Sequence, residues 1–291
     1  MITTVMKPIT STIYGAELQT AQLIGAEYPI RENTTLNQKF HIQEGVVHSA
    51  GTYPRMKYIA IGNGGHRSKI GANGIEVGEV LQHKPTHGAL FNHLPFVVRE
   101  PNNDLSPQER ERYGLRTMEE HNGTKFIVYY LRRLDVSNLS TQLKYTTVTS
   151  KGLNDTTTQD TDYTPTERDV LYPTPEPLKT IDVNTLNGDY VRCEAVLSLV
   201  MSKAELDELK NACKIIYGDE RYAVISEIGL VSGVDKVVPS TTGGNFNYTE
   251  VISAQIVAFV ATDFRAYYHN KKVTLDINIG ASEPMFELVA P

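Results

Sequence analysis

Apolar residues in this chain recur mainly in short runs bounded by Gly, Pro, Asn or Asp, a pattern typical of β-strands. In several runs the apolar residues alternate with polar ones, as on a strand with one buried face. Strands are predicted over residues 41–49, 56–61, 89–100, 125–131, 190–201, 222–231, 250–262 and 273–279. The run 56–61 stops at a Gly- and Asn-rich turn, 62–65, whose residues tolerate positive φ.

Helical signals are fewer. Residues 16–24 predict a short helix with apolar residues partly on one side. Ser106, followed by Pro107 and by Glu109 three residues after the cap, forms a capping box, and Gly114 is the predicted stop.

A second capping box opens at Ser202, with Glu205 three residues later. The apolar residues that follow share one helical face: Leu206, Leu209 and Cys213. This helix is predicted to end at 218–219. Because strands outnumber helices, the predicted fold is α+β, with a β-dominated core, two or three short capped helices and long extended loops.

The domain organisation predicted from these patterns is a single β-rich structural domain over residues 1–291. Residues 1 to about 40 are expected to form an extended N-terminal arm that includes the first helix. Residues 62–90, rich in Gly, Asn and His, are expected to be an ordered surface excursion. Residues 149–180, rich in Thr and Pro with few aliphatics, predict a long loop or arm that either packs on a neighbouring subunit or is a mobile insertion.

Composition and charge narrow the classes of protein. A hydrophobic fraction of 40% supports a folded core, and a net charge of −6 argues against a dedicated nucleic-acid binder, which needs a basic face. The longest apolar stretch, 256–261, is too short to span a bilayer, and the N-terminus lacks the pattern of a secretory signal. Cys193 and Cys213 are expected to be buried free thiols in a reducing compartment.

Histidines are the first candidates for chemistry. His83 and His87 are four residues apart and His93 follows, which raises the hypothesis of a metal-dependent hydrolase. Pro85 removes the helix that this spacing would need, and the Glu of a metallopeptidase motif is missing. Locally hydrogen-bonded histidines are therefore the preferred interpretation.

Other catalytic patterns do not match. The turn 62–65 lacks the Gly-Lys-Ser/Thr of a phosphate-binding loop and no helical pattern follows it. The carboxylate pairs, such as Glu119 with Glu120, lie on polar faces, and no G-x-S-x-G elbow is present. The sequence predicts a protein that is not an enzyme and has no cofactor, no metal and no catalytic residues.

Two stretches resemble a known family. The first is 58–65, followed by Pro85, Leu90 and the segment 95–100; the second is 223–233. Together they resemble the N-terminal anchoring domain of phage tail-collar fibre proteins. In that family a strand ending A-I/V-G-N/D-G precedes a small-residue loop and a Leu-rich segment ending in Glu-Arg or Arg-Glu, and a later strand reads I-x-E-I-G-L before a Gly turn.

The resemblance implies a structural subunit of a tailed-phage virion, made in the host cytoplasm. In the family a long fibre shaft follows the anchor, whereas this sequence ends at Pro291. A neck, collar or baseplate ring component, or a point of fibre attachment, is therefore expected. Its expected partners are copies of itself in a ring and other tail, neck or baseplate proteins, with no membrane and no specific nucleic acid.

A second hypothesis is a carbohydrate-binding or adhesion module, in which exposed tyrosines such as Tyr267 and Tyr268 would stack on a ligand.

Overall fold

Two compact units make up the chain. The larger contains Met1–Val136 and Leu199–Leu275, and the smaller contains Ser137–Ser198 and Asp276–Pro291. The computed structural model describes residues 9–24, 36, 40–42, 52–137, 139–150, 156–166, 188–239 and 247–284. The sequence predicted one domain, and the chain instead leaves the larger unit after Val136 and returns to it at Leu199.

The larger unit is built on an antiparallel sheet. Its strands are β1 (Ile9–Ser11), β2 (Arg55–Gly62), β5 (His93–Leu94), β6 (Val97–Arg99), β7 (Tyr113–His121), β8 (Thr124–Arg133), β12 (Val224–Pro239) and β13 (Asn247–Arg265). The order is β1-β13-β12-β2-β8-β6, with β5 on β2 and β7 on β8. The first ten residues of β12 are all buried, which explains its nearly continuous apolar run.

A separate two-stranded hairpin lies between β2 and β5 in the sequence. Its strands are β3 (His66–Ile70) and β4 (Glu76–Val80), which pair with each other. All five residues of β3 are exposed. The predicted surface excursion over 62–90 therefore contains a regular hairpin.

The helices follow the predicted caps. Helix α1 is Ile13–Ile24, α2 is Pro107–Arg110 and α3 is Lys203–Tyr217. Both predicted capping boxes are present, at Ser106 and at Ser202. Helix α3 buries the predicted apolar face and ends at Gly218, whose φ of 78° is readily adopted only by glycine.

The predicted stop of α2 at Gly114 is wrong. This helix ends at Arg110, and Gly114 lies in β7. A side chain at position 114 would collide with the ring of Tyr58, so the glycine serves packing rather than helix termination.

The smaller unit contains a four-stranded sheet of order β10-β9-β11-β14. Its strands are β9 (Gln142–Ser150), β10 (Thr156–Asp162), β11 (Gly188–Met201) and β14 (Val273–Pro284), of which β11 and β14 extend past the unit's boundary. The buried Glu194 carboxylate binds Lys144 Nζ at 2.5 Å and accepts a hydrogen bond from Asn278 Nδ2 at 2.9 Å.

The expectation of a loop over 149–180 is wrong for its first part. Residues 156–162 pair antiparallel with β9, because Thr-rich segments suit strands whatever their aliphatic content. Residues 167–180 lie outside the described residues. So do residues 1–8 and 25–35 of the predicted N-terminal arm and most of the predicted strand 41–49.

The predicted strands 56–61, 125–131, 190–201, 250–262 and 273–279 and the helix over 16–24 are confirmed, with boundaries shifted by up to five residues. The predicted strand 222–231 is confirmed but extends to Pro239, and the segment 89–100 contains two short strands, β5 and β6, rather than one. The coarse prediction of an α+β fold dominated by β-strands is also confirmed. No helix in the described part of the chain is long and apolar enough to cross a membrane.

An ion cluster ties β2, β8 and β12 together. The Asp235 carboxylate accepts hydrogen bonds from Lys57 Nζ at 2.9 Å, from Arg133 Nη1 at 2.8 Å and from the Tyr58 hydroxyl. Partial burial acts to raise the pKa of Asp235, but these donors outweigh it and lower the pKa to about 2. Because the folded pKa lies below the unfolded value, the stabilisation is full above about pH 4 and is lost toward pH 2.

We predict that Asp235→Asn lowers the free energy of unfolding at pH 7 by about 1 kcal/mol, a value reduced for the partial exposure of the carboxylate. The difference from the wild type should shrink as the pH falls from 4 toward 2. Urea denaturation at a series of pH values measures it. Asp263→Asn, at a more exposed ion pair with Arg265, is the control. If the difference in unfolding free energy between the wild type and Asp235→Asn stays constant down to the lowest pH, the lowered pKa of Asp235 does not contribute to stability as described.

Candidate functional site

A buried carboxylate lies at the centre of the larger unit. Glu227 is on β12 and is 1% exposed. Its carboxylate accepts backbone N–H hydrogen bonds from Gly64 at 3.0 Å, Phe91 at 2.9 Å and Asn92 at 3.0 Å. His83 Nε2 lies 2.7 Å from Glu227 Oε2. Three backbone N–H donors and one imidazole nitrogen thus lie within hydrogen-bond distance of the two carboxylate oxygens.

His83 connects this carboxylate to a stack of aromatic rings. Its imidazole lies between Phe91, at a centroid distance of 4.1 Å, and Phe259, at 3.8 Å, with both rings nearly parallel to it. On its other side Nδ1 is 3.2 Å from His87 Nδ1. Partial burial lowers the pKa of His87, and the charges of His83 and Lys84 lower it further. Both ring nitrogens of His83 are thus engaged within the protein.

Small residues let the backbone approach Glu227. A Cβ at Gly62 would collide with Asn92 O and with the Glu227 carboxylate. At Gly65 it would lie 2.9 Å from Ser226 O, and the Gly65 N–H donates to Ser226 Oγ at 2.9 Å. The glycines of the turn 62–65 are therefore required by close packing against β12.

A cleft of about 520 Å³ opens beside this turn. Its lining consists of Asn63, Gly64, His66, Asn92, Tyr217, Asp219, Arg221, Tyr222 and Val224. Asn92 Nδ2 donates to Asn63 Oδ1 at 2.6 Å and to the Tyr217 hydroxyl at 3.0 Å. The Tyr222 ring is 53% exposed and its centroid lies 5.0 Å from that of Tyr217. Asparagines and tyrosines thus offer hydrogen-bonding groups and an exposed ring face in one concave site.

The structure brings two of the three predicted histidines together. His83 and His87 are in contact, whereas His93 lies in β5, with its ring centroid 5.2 Å from that of Phe40. Among the described residues, no group of three His, Cys, Asp or Glu side chains is placed to hold one metal ion. The described histidines of this region contribute to packing and hydrogen bonding.

The turn 62–65 is followed by β3. The N–H groups of Gly64 and Gly65 point to protein oxygens on Glu227 and Ser226 rather than to an open anion site. The turn therefore binds β12 of its own chain.

Glu227 is the residue whose role the sequence analysis missed. It is a single charged residue within a long apolar run from Ala223 to Val231. An ionisable residue in such a run must be paired if it is buried, and that signal could have marked it. Its partners could not have been found, because His83 is 144 positions away.

The two cysteines lie in different environments. Cys213 is buried, as predicted, and burial raises the pKa of its thiol to about 12. Cys193 is exposed, contrary to the prediction, because its side chain faces outward on β11.

Tyr267 and Tyr268 contact each other, with centroids 4.2 Å apart, and Tyr268 is 73% exposed.

Fold and site define an antiparallel α+β protein whose central strands are held by a buried carboxylate. A family model matches residues 2–290, and the chain belongs to that family, DUF7208, a family of unknown function. No curated protein and no solved structure matches the chain.

We predict that Glu227→Gln lowers the free energy of unfolding by about 3 kcal/mol, because its amide group places donors against donors in a buried site. Urea denaturation monitored by circular dichroism measures the change. Glu120→Gln, at an exposed position on β7, is the matched control and should leave the midpoint unchanged. Equal midpoints for both variants would show that the buried network contributes little.

Proposed function

We propose that this protein is a structural, non-enzymatic subunit of a tailed-phage virion, in the neck, collar or baseplate ring or at a point of fibre attachment. The observation that supports it most is the meeting of the two stretches that resemble the tail-collar anchoring domain. Strand β2, from the first stretch, pairs with β12, from the second, with Gly62 opposite Glu227 and Ile61 opposite Ile228.

The motif residues themselves form one bonded unit. The Glu of the I-x-E-I-G-L segment is Glu227, and it accepts the N–H of Gly64 in the A-I-G-N-G segment at 3.0 Å. Gly62 of the same segment is required by its contact with Glu227. Chance matches to short strands have no reason to converge in this way, whereas a shared structural motif requires that its elements pack together.

The chemistry of the buried network also favours a structural role. His83 and Glu227 have side chains that are 1% exposed, so neither can touch a substrate while the strands remain paired. Their hydrogen bonds connect β12 to the segments that contain Gly64, His83 and Phe91. A rigid sheet built in this way suits a protein that carries load in a particle.

We predict that antibody against the purified protein, followed by gold-labelled secondary antibody, labels phage particles from its source at the neck or at the baseplate. Mass spectrometry of gradient-purified particles should detect the chain at a stoichiometry above one copy per particle. Antibody against a known capsid protein is the positive control. No label on intact or disrupted particles, with no peptide in the purified virion, would overturn the proposal.

The cleft beside the turn 62–65 favours glycan binding as the second candidate function. Its volume of about 520 Å³ is that of a small-ligand site, and the exposed Tyr222 ring offers a face on which a sugar ring can stack. The same cleft is also lined by the polar side chains of Asn63, Asn92 and Asp219.

For this second function we predict that isothermal titration with bacterial surface oligosaccharides gives binding that Tyr222→Ala weakens about tenfold, as for loss of a stacked ring. Tyr268→Ala is the matched control, since Tyr268 is exposed but does not line the cleft. If Tyr268→Ala reduces binding and Tyr222→Ala does not, the ligand stacks on Tyr268 instead of in the cleft. The absence of binding to the whole panel would remove this function.

A further inference from the structure

The β3–β4 hairpin and its turn expose four large apolar side chains. Ile70 is 74% exposed, Ile75 62%, Val77 53% and Val80 42%. By the pairing register Ile70 and Val80 lie on one face of the hairpin and Val77 lies on the other, while Ile75 is in the turn between the strands. Exposed apolar side chains on both faces of so small an element favour association with another protein surface.

The hairpin also has two strand edges without a partner strand in the described part of the chain. Strands β3 and β4 form a two-stranded sheet of their own. An isolated two-stranded hairpin is only marginally stable in water, and its unpaired N–H and C=O groups are a template for further strands. Pairing of these edges with another strand would stabilise the hairpin and would satisfy its unpaired N–H and C=O groups.

The two edges carry opposite charge. Strand β3 contains Arg67 and Lys69, whereas β4 contains Glu79 on the same face of the hairpin. Arg67 pairs with Glu79 at 2.6 Å within one chain, which shows that the side chains of this face meet across a strand pair. The hairpin thus has one basic edge and one acidic edge. The acidic edge of one copy is therefore complementary to the basic edge of another.

We propose that this hairpin is the contact between copies of the chain, in which β4 of one copy pairs antiparallel with β3 of the next. The proposal rests on the structural role proposed above and names the surface that builds the assembly. Repetition places Glu79 of each copy beside Arg67 and Lys69 of its neighbour, and it brings the exposed apolar side chains of β4 next to the side chains of the neighbouring β3 on each face.

A contact of this kind is heterologous, because it joins two different edges. Such a contact generates a ring when the rotation between copies closes and a filament when it does not. A second copy is favoured over an unrelated partner because the complementary edge is present on the same chain.

Charge reversal tests this contact. We predict that the wild type forms an oligomer whose association weakens about tenfold or more in the double variant Arg67→Glu with Lys69→Glu, which makes both edges acidic. Glu79→Lys, which makes both edges basic on the face that carries Arg67 and Lys69, should act in the same way. The triple variant that carries all three substitutions restores complementary edges and should restore the oligomer. Sedimentation velocity at low and high salt measures each mass.

Two further experiments complete the design. Equal amounts of the acidic-edged and basic-edged variants should associate with each other when mixed, although neither associates alone. Lys125→Glu, at the exposed start of β8, is the matched control and should leave the oligomer intact. Circular dichroism should show that all variants remain folded, because the substituted residues of the hairpin lie outside the core.

A wild type that is monomeric at every concentration overturns the inference, as does an oligomer that the charge reversals leave unchanged. These outcomes leave the structural role to be decided by the location of the protein in the particle. Gold label on the virion together with an insensitive oligomer would retain the function and reject the hairpin as the contact.

Discussion

The Glu227 carboxylate is the interaction on which the larger unit depends. A carboxyl group that is 1% exposed is costly to bury unless it is hydrogen-bonded, and here three backbone N–H groups and one imidazole surround it. These groups lie 135 to 163 positions before Glu227 in the sequence. The charge can be satisfied only when these segments are in place, so one residue couples the turn after β2 and the connection that follows the hairpin to the central strand β12.

A second carboxylate makes the same strands rigid at another point. Asp235, further along β12, holds Lys57 of β2 and Arg133 of β8, and the guanidinium of Arg133 also lies over the Tyr58 ring at 4.9 Å. Glu227 is fully buried and fixes backbone groups, whereas Asp235 is partly exposed and fixes side chains. Together they hold the register of β2 against β12 at two positions, which makes slippage of the pair unfavourable.

Local rules of sequence predicted much of this fold, and long-range contacts limited the rest. The capping boxes at Ser106 and Ser202 depend on residues three positions apart and were predicted correctly. Gly114 was misassigned as a helix stop because its reason, contact with Tyr58, lies 56 positions away. The β3–β4 hairpin was missed because both of its faces are exposed, so burial leaves no alternation to detect. Within the candidate site, the sequence indicated the turn 62–65 but not Glu227, the residue that accepts its hydrogen bond.

The buried network and the hairpin have opposite chemical character. The three backbone N–H groups and the imidazole that bind Glu227 are engaged inside the chain, so they hold β12 to its neighbouring segments. The hairpin has the reverse character, because its strand edges and apolar side chains find no partner strand in the described part of the chain. A rigid sheet fixes where β2 ends, and β3 begins only four residues later. The sheet therefore limits the positions of the hairpin, which would lower the entropy cost of the association proposed above.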